Sequence, residues 1–335
     1  MQPPPSNTYR VNLRIQKWIV AVAIVLFLIK TAAFFLTRSV AILTDALEST
    51  VNVIAGLIGL YSLYIAAKPR DEDHPYGHGK AEFISAAVEG TLIAIAGVLI
   101  IYSSVESLLH PRPLHKLDYG IILIAITAVI NFVLGYIAER YGKTNNSLVL
   151  VASGKHLQTD TYSTVGIIIG LILIYFTGIT QLDSIVAIVF GGIIVYTGYK
   201  IVRSSIAGIM DEADKELLNR MIALLNKFRR ENWIDLHNLR IIKYGSILHI
   251  DCHLTVPWYL NVNDAHKEID ALNKLIATDL GATLEPFIHS DGCLYSQCPI
   301  CIKSDCPVRQ HPFQQRMEWT FQNIISNEKH LLEQE

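Results

Sequence analysis

A histidine and an aspartate, His156 and Asp160, lie four residues apart in a segment that otherwise has the apolar composition of a membrane-spanning helix. Residues at this spacing project from one helical face, so an imidazole nitrogen and a carboxylate oxygen can converge on one point. Ionisable groups inside a bilayer are costly and usually mark an ion pathway. The pair therefore predicts ligands for a divalent metal ion. The alternative is that a lysine neutralises Asp160 and that His156 is a hydrogen-bonded core residue.

Three further polar residues, Asp45, Glu48 and Asn52, lie on one stripe of an earlier apolar segment. With the first pair, Glu48 and Asn52 complete a set of one nitrogen and three oxygens, and its two carboxylates balance a divalent charge. We predict a single metal site built from both segments, with Asp45 one turn away as a further acid. The structural alternative is ion pairing of Asp45 or Glu48 with Lys30 in the first apolar segment.

The composition places these groups in a lipid bilayer. Of the 335 residues, 51% are hydrophobic and only 17% are charged, which excludes an ordinary soluble enzyme. No basic stripe with interleaved aromatic residues is present, so we expect no nucleic-acid partner.

Six apolar segments are long enough to cross a membrane, which takes about 20 residues per helix. They cover residues 18–37, 41–66, 83–109, 118–140, 148–176 and 182–202. Lysine and arginine concentrate in the connections on one side, so the positive-inside rule predicts that both termini are cytoplasmic. The polar N-terminus has neither a cleavage site nor a transit signal, and we expect a multi-pass protein of a bacterial inner membrane.

Charged residues become dense after about residue 210, which predicts a domain boundary. We predict a transmembrane transport domain over residues 1–209 and a cytoplasmic metal-binding domain over residues 210–292. The pattern of the second domain, including strict alternation over 248–256, predicts an α+β fold with the element order αββαβ. For residues 293–335 we predict a cysteine-rich segment followed by a C-terminal helix near 312–332.

The loop after the second apolar segment reads HPYGHGK over residues 74–80, and the fifth segment carries HLQTD over residues 156–160. With these motifs the chain resembles the cation diffusion facilitator family over residues 10–293. The resemblance implies a six-helix, homodimeric exporter of divalent metal ions that is driven by proton exchange and carries a cytoplasmic metal-binding domain.

The same resemblance assigns the transport site to Glu48, Asn52, His156 and Asp160. Family members usually carry a carboxylate where this chain has Asn52. An amide at this position makes the site less negative and leaves the metal preference open.

Further sites follow from the resemblance. Asp71, His74 and His78 match a loop metal site, for which a solvated acidic loop is the alternative. Lys80 and Asp211 match an ion pair that locks the dimer. A metal site between protomers of the cytoplasmic domain is implied for five residues, each of which could also be an ordinary surface residue. They are His237, His253, His266, His289 and Asp291.

Four cysteines follow with the pattern Cys293-x4-Cys298-x2-Cys301-x4-Cys306. In a reducing cytoplasm, thiols this close are more often metal ligands than disulfides. Zinc is the first expectation, although only the inner pair has zinc-knuckle spacing. The looser outer spacings leave open an iron–sulfur cluster or a flexible tail that passes ions onward. Cys252 faces the predicted core.

Together these patterns predict a secondary active transporter rather than an enzyme. Histidine titrates near neutral pH, so protons and metal compete for one site. We expect zinc as the substrate, with Fe(II), Mn(II) and Co(II) as alternatives that the same ligand set accepts. Two rival classes are an intramembrane metal-dependent hydrolase, which lacks the HExxH pattern here, and a membrane-anchored metal sensor or scaffold without transport.

Overall fold

The computed structural model of the chain describes residues 7–37, 40–109, 120–177, 181–245, 247–280 and 283–332. The chain divides into two compact units, Met1–Met210 and Asp211–Glu335. The first is built from long helices and the second combines helices with a small sheet.

The described residues of the first unit form six long helices, one for each predicted apolar segment. They are α1 (Asn7–Thr37), α2 (Val40–Ala66), α3 (Ala81–Leu109), α4 (Gly120–Thr144), α5 (Leu148–Thr177) and α6 (Gln181–Ile209). Four stretches of the described residues are long and apolar enough to cross a membrane: Tyr9–Ala32, Ser49–Ala66, Ala81–Leu109 and Ser184–Ile209. Such helices satisfy their own backbone hydrogen bonds, as a bilayer requires.

Helix α5 packs against α2, α3, α4 and α6. A glycine allows its closest approach to α4. A Cβ atom on Gly154 would lie 2.6 Å from the backbone nitrogen of Glu139 and 2.7 Å from the carbonyl oxygen of Gly135. Small residues let membrane helices approach backbone to backbone. This contact holds the segment of α5 that begins two residues before His156.

A buried network of polar side chains also fixes α5. Ser153 donates a hydrogen bond to the Glu89 carboxylate of α3 at 2.8 Å. The Gln16 side chain of α1 donates to Ser153 Oγ at 3.2 Å and to the carbonyl oxygen of Gly56 in α2 at 3.1 Å. Polar groups away from water are expensive unless they are hydrogen-bonded. The network therefore favours one arrangement of these four helices.

The second unit has the predicted order of helices and strands. Helix α7 (Lys215–Lys227) is followed by β1 (Asp235–Tyr244), β2 (Ile247–Val256), α8 (Val262–Leu280) and β3 (Thr283–Gly292). The sheet order is β1-β2-β3. Strands β1 and β2 are antiparallel, whereas β3 runs parallel to β2. A parallel pair needs a crossover connection, and α8 provides it.

One face of β2 forms the core of this unit. The alternating residues predicted to face inward are buried, and they pack with residues of α7 and α8. They are Leu248, Ile250, Cys252, Leu254 and Val256. Asp214 caps α7 by accepting a hydrogen bond from the Leu217 N–H at 3.0 Å. Burial of Asp214 opposes its ionisation, but the bonds from Leu217 N–H and Lys243 outweigh burial and lower its pKa.

The predicted C-terminal helix near 312–332 is wrong. After a 3-10 helix at Tyr295–Ile300, only a short helix, α9 (Phe321–Ile324), forms in this part of the described chain. Trp319 is 2% exposed and belongs to the core. The Arg229 guanidinium lies 4.1 Å from the Trp319 ring centroid and donates to the Met317 carbonyl at 2.6 Å. The segment around Trp319 therefore packs against the core in an irregular conformation instead of forming the expected helix.

Candidate metal sites

Three of the predicted transport-site residues converge between α2 and α5. Nε2 of His156 lies 2.7 Å from Oδ1 of Asn52, and Nδ2 of Asn52 donates to Oδ2 of Asp160 at 2.5 Å. His156 is buried, and the other two side chains are half-buried. Because an amide oxygen can only accept, this arrangement requires the Nε2–H tautomer of His156. The sequence predicted the convergence but not that Asn52 would bridge the two α5 groups.

For the remaining residues predicted on α2, the structure describes the backbone but not the side chains. Asp45 and Glu48 belong to the helix, but their side chains lie outside the described residues, so their roles stay predictions. Lys30 of α1 is buried and donates to Ser49 Oγ at 2.9 Å. Its alternative pairing with Asp45 or Glu48 therefore also stays a prediction. Lys155 of α5 lies 3.9 Å from the Glu139 carboxylate.

Sequence reasoning missed the two buried carboxylates of α3. Glu82 accepts a hydrogen bond from Ser147, and Glu89 accepts one from Ser153. Both are less than 3% exposed. Their spacing of seven residues, two helical turns, was the available signal for a polar face on α3.

The loop between α2 and α3 forms the second predicted cluster. Asp71 Oδ1 lies 2.9 Å from His74 Nδ1, and Asp71 Oδ2 lies 3.3 Å from His78 Nε2. One ligand atom from each of these residues lies within 4.8 Å of the others. The Asp71 pKa is lowered, chiefly by its hydrogen bond from His74. Gly77, with φ of 90°, lets the chain turn back and bring His78 towards Asp71.

The third cluster lies on the sheet of the second unit. Strand register pairs His237 with His253 and His253 with His289, and it brings Asp291 beside them. Asp291 Oδ2 lies 3.4 Å from His237 Nε2 and 3.3 Å from His253 Nδ1, and its Oδ1 lies 3.5 Å from His289 Nε2. Ligand atoms of His237, His253 and Asp291 all lie within 4.8 Å of one another. Two imidazoles and a carboxylate suit zinc and similar divalent metals.

His266, which the resemblance assigns to a site between protomers, does not join this cluster within one protomer. It is exposed on α8, and its Nε2 lies 3.8 Å from Asp270 Oδ1. The cause is the fold: α8 is the crossover helix, and the cluster is defined by strand register across β1, β2 and β3.

Asp235, which sequence reasoning overlooked, lies beside the ring nitrogen of His237 that does not face Asp291. Its Oδ2 lies 3.5 Å from His237 Nδ1, and His330 approaches its Oδ1 at 2.5 Å. Burial opposes ionisation of Asp235, but the neighbouring His237 and the hydrogen bonds from His330 hold its pKa well below the usual range. A carboxylate on the second nitrogen of a metal-binding histidine fixes its tautomer and orientation.

The predicted dimer-lock residues lie in different units. Lys80 Nζ donates to the carbonyl oxygen of Ile209, the last residue of α6, at 3.5 Å. Asp211 is exposed and has a positive φ of 56°. Their pairing stays a prediction.

The four cysteines of the tail line one cavity of the second unit. They and Cys252 are free thiols.

Comparison with known proteins agrees with this architecture. A family model of the cation efflux transmembrane domain matches residues 17–210, and a model of the cytoplasmic domain of cation efflux proteins matches residues 213–293.

The chain matches individual relatives over most of their length. The chain is 35% identical over 249 residues to an uncharacterized transporter of Synechocystis, covering 74% of this chain and 80% of the relative. It is 30% identical over 275 residues to the cation-efflux pump FieF of Pectobacterium carotovorum, covering 81% and 89%. It is 28% identical over 251 residues to the manganese efflux system protein MneS of Bacillus subtilis, covering 74% and 84%. The chain therefore belongs to the cation diffusion facilitator family, whose members are membrane transporters that carry metal cations out of the cell interior.

Proposed function

We propose that the chain is a homodimeric antiporter that exports a divalent metal ion from the cytoplasm in exchange for protons. The observation that carries the proposal is the convergence of Asn52, His156 and Asp160 between α2 and α5. Glu48, one helical turn before Asn52, is proposed as the fourth ligand.

Proton coupling follows from the ligand chemistry. A metal binds a neutral imidazole and an ionised carboxylate, so loading releases protons and protonation expels the metal. In the structure, His156 Nε2 lies within hydrogen-bond distance of the Asn52 amide oxygen, and the Asn52 amide N–H donates to Asp160. Metal entry replaces both hydrogen bonds. Rocking of the helices between inward and outward openings would then convert a proton gradient into metal export.

Zinc is the proposed principal substrate, because an imidazole with carboxylate and amide oxygens accommodates its tetrahedral geometry. Manganese is the second candidate. One relative is a manganese efflux protein, and the amide oxygen of Asn52 adds an oxygen donor of the kind that manganese favours. Fe(II) and Co(II) complete the set to be compared.

The clusters outside the bilayer are proposed to serve regulation and entry. Asp71, His74 and His78 would collect metal at the α2–α3 loop. The cluster of His237, His253, His289 and Asp291 would sense cytoplasmic metal, with His266 supplied to the shared site by the second protomer. Lys80 and Asp211 would hold the dimer. The excess of lysine and arginine in the connections on one side would place both termini on the cytoplasmic side of a bacterial inner membrane.

Metal flux in proteoliposomes with an imposed pH gradient tests the proposal. Wild-type protein should move metal, and His156→Ala should reduce flux to the level of empty vesicles. His311→Ala, which removes an exposed histidine of the tail, is the matched control and should transport normally. Unchanged flux in His156→Ala would refute the transport site. Metal binding without any flux in the wild type would favour the sensor or scaffold instead.

A further inference from the structure

Four thiols line one cavity in the second unit. Cys293 follows the end of β3, Cys298 lies in the 3-10 helix Tyr295–Ile300, and Cys301 follows that helix directly. Cys306 completes the ring from the next loop. Three of these cysteines lie beyond both family matches, which end at residues 210 and 293. The transport site and the histidine cluster do not use them.

A single arginine fixes the loop that carries the thiols. Arg309 donates to the carbonyl oxygens of Cys298 at 2.9 Å, Cys301 at 3.1 Å and Lys303 at 2.5 Å. The Cys301 N–H also bonds to the Cys298 carbonyl at 3.2 Å. Cys301 and its neighbour Ile300 are buried. The loop is therefore held in shape by its own hydrogen bonds.

The lining of the cavity suits a negatively charged centre. Four thiolates around a metal give a net negative charge, and Arg309 and Lys303 both line the cavity as cations. The backbone N–H of Trp258 bonds to Cys293, and that of Lys303 bonds to Cys301. Hydrogen bonds to the sulfurs and a largely apolar shell are the features by which proteins stabilise and tune thiolate-ligated metal centres.

The thiols are not grouped as closely as the ligands of a single tetrahedral ion. Tetrahedral zinc with Zn–S bonds of about 2.3 Å holds its sulfurs about 3.8 Å apart. Among the described residues, the groups of three ligand atoms within 4.8 Å of one another are the two histidine and aspartate clusters, and the cysteines form no such group. An iron–sulfur cluster distributes its thiolates over several irons, so the cysteine sulfurs lie further apart.

The spacing of the first three cysteines points the same way. Cys293, Cys298 and Cys301 follow C-x4-C-x2-C, the spacing of plant-type iron–sulfur ligands. The fourth ligand differs, because Cys306 follows after only four residues instead of coming from a remote part of the chain.

We propose that Cys293, Cys298, Cys301 and Cys306 ligate an iron–sulfur cluster in the soluble unit. This resident centre is distinct from the exported ion, and the proposal does not depend on the transport mechanism. It replaces zinc, the first expectation from the sequence, as the occupant of these four thiols.

The test uses the full chain, purified in detergent and incubated without oxygen with ferric iron, a thiol reductant and sulfide, so that the iron supplies the oxidation state of the cluster. The expected result is bound iron together with acid-labile sulfide, with the visible absorbance of a cluster. Iron bound at the transport site would carry no labile sulfide. A wild-type protein that takes up zinc alone, or iron without sulfide, would overturn the proposal.

Cysteine variants locate the centre. Cys298→Ser combined with Cys301→Ser should lose iron and sulfide together, whereas Cys252→Ala, which removes the core thiol, should keep both. Near-ultraviolet circular dichroism would show whether each variant retains its folded core around Trp233 and Trp319. A folded double variant that keeps the cluster would contradict the assignment.

Discussion

The membrane site and the cytoplasmic cluster use the same ligand types but hold them differently. In the membrane, an amide separates the ligands, since Asn52 contacts both His156 and Asp160. On the sheet, Asp291 contacts His237 and His253 directly. Strand register fixes these positions, and a buried carboxylate supports His237 from behind.

The difference matches the tasks proposed for the two sites. A carrier must return without its ion, and polar groups left bare inside a bilayer are costly. The hydrogen bonds through Asn52 satisfy polar atoms of His156 and Asp160 inside the membrane unit. A sensor has no return step, so its ligands can stay in place. We therefore expect the membrane site to tolerate protonation and the cytoplasmic cluster to bind metal with less rearrangement.

The largest expected effect separates the two sites. Asp160→Asn removes a carboxylate ligand, and flux should fall by at least about a hundredfold, the upper end of the losses seen when only supporting groups of a metal site are removed. Metal binding at the cytoplasmic cluster, measured by calorimetry, should persist. Asp279→Asn, the same chemical change at a surface ion pair with Arg220, serves as the control. Equal loss in both variants would contradict the assignment.

The second prediction concerns the group behind the cytoplasmic cluster. Asp235→Asn should weaken metal binding there by about 10- to 100-fold, because His237 loses the partner that fixes its orientation. Because other sites of the chain also bind metal, calorimetry in an Asp160→Asn background compares Asp235→Asn with His253→Ala, which removes a ligand of this cluster. An unchanged affinity would show that Asp235 has only a folding role, which the melting temperature would report.

A smaller effect is expected from restoring the acid that the family usually carries. Asn52→Asp adds a negative ligand and removes the amide bridge, so the membrane site should bind metal about tenfold more tightly, a gain of about 1.4 kcal/mol. Release should slow, and maximal flux should fall. Asn52→Ala, which supplies no ligand, should weaken binding. Tighter binding in both variants would show that Asn52 is not a ligand.

The smallest effect is a pH dependence of the soluble unit. Burial of His330 disfavours its charged form, but the hydrogen bond to Asp235 outweighs burial and raises the His330 pKa. The stabilisation from this pair is then complete below about pH 6.5, the ordinary histidine value, and is lost as pH rises through the raised pKa. NMR titration of the imidazole measures this. In His330→Gln, stability should lose that dependence, and an unraised His330 pKa would contradict the contact.

Local periodicity predicted much of this structure. The spacing of His156 and Asp160 on an apolar helix and the alternation of Leu248, Ile250 and Cys252 depend only on helix and strand geometry. The irregular conformation around Trp319 could not be predicted in this way, because tertiary packing replaced local helix formation there. The exclusion of His266 from the cluster likewise depends on strand register, which the local pattern around His266 does not encode.

The residues that position the ligands were the least visible in the sequence. Asn52 was expected only as a ligand, yet it also bridges His156 and Asp160. Asp235 lies in a strand and gave no signal of its own. Its role arises from His237 on the same strand and from His330, which is 95 residues away in sequence.

The central claim is that one site, containing His156 and Asp160, alternately binds metal and protons. Simultaneous recording of metal movement and internal pH in the same proteoliposomes tests it most directly. Each round of zinc transport should move protons in the opposite direction, and His156→Ala should abolish both movements together. Metal transport by the wild type without a pH change would contradict the account. So would a His156→Ala variant that still moves both metal and protons in the wild-type ratio.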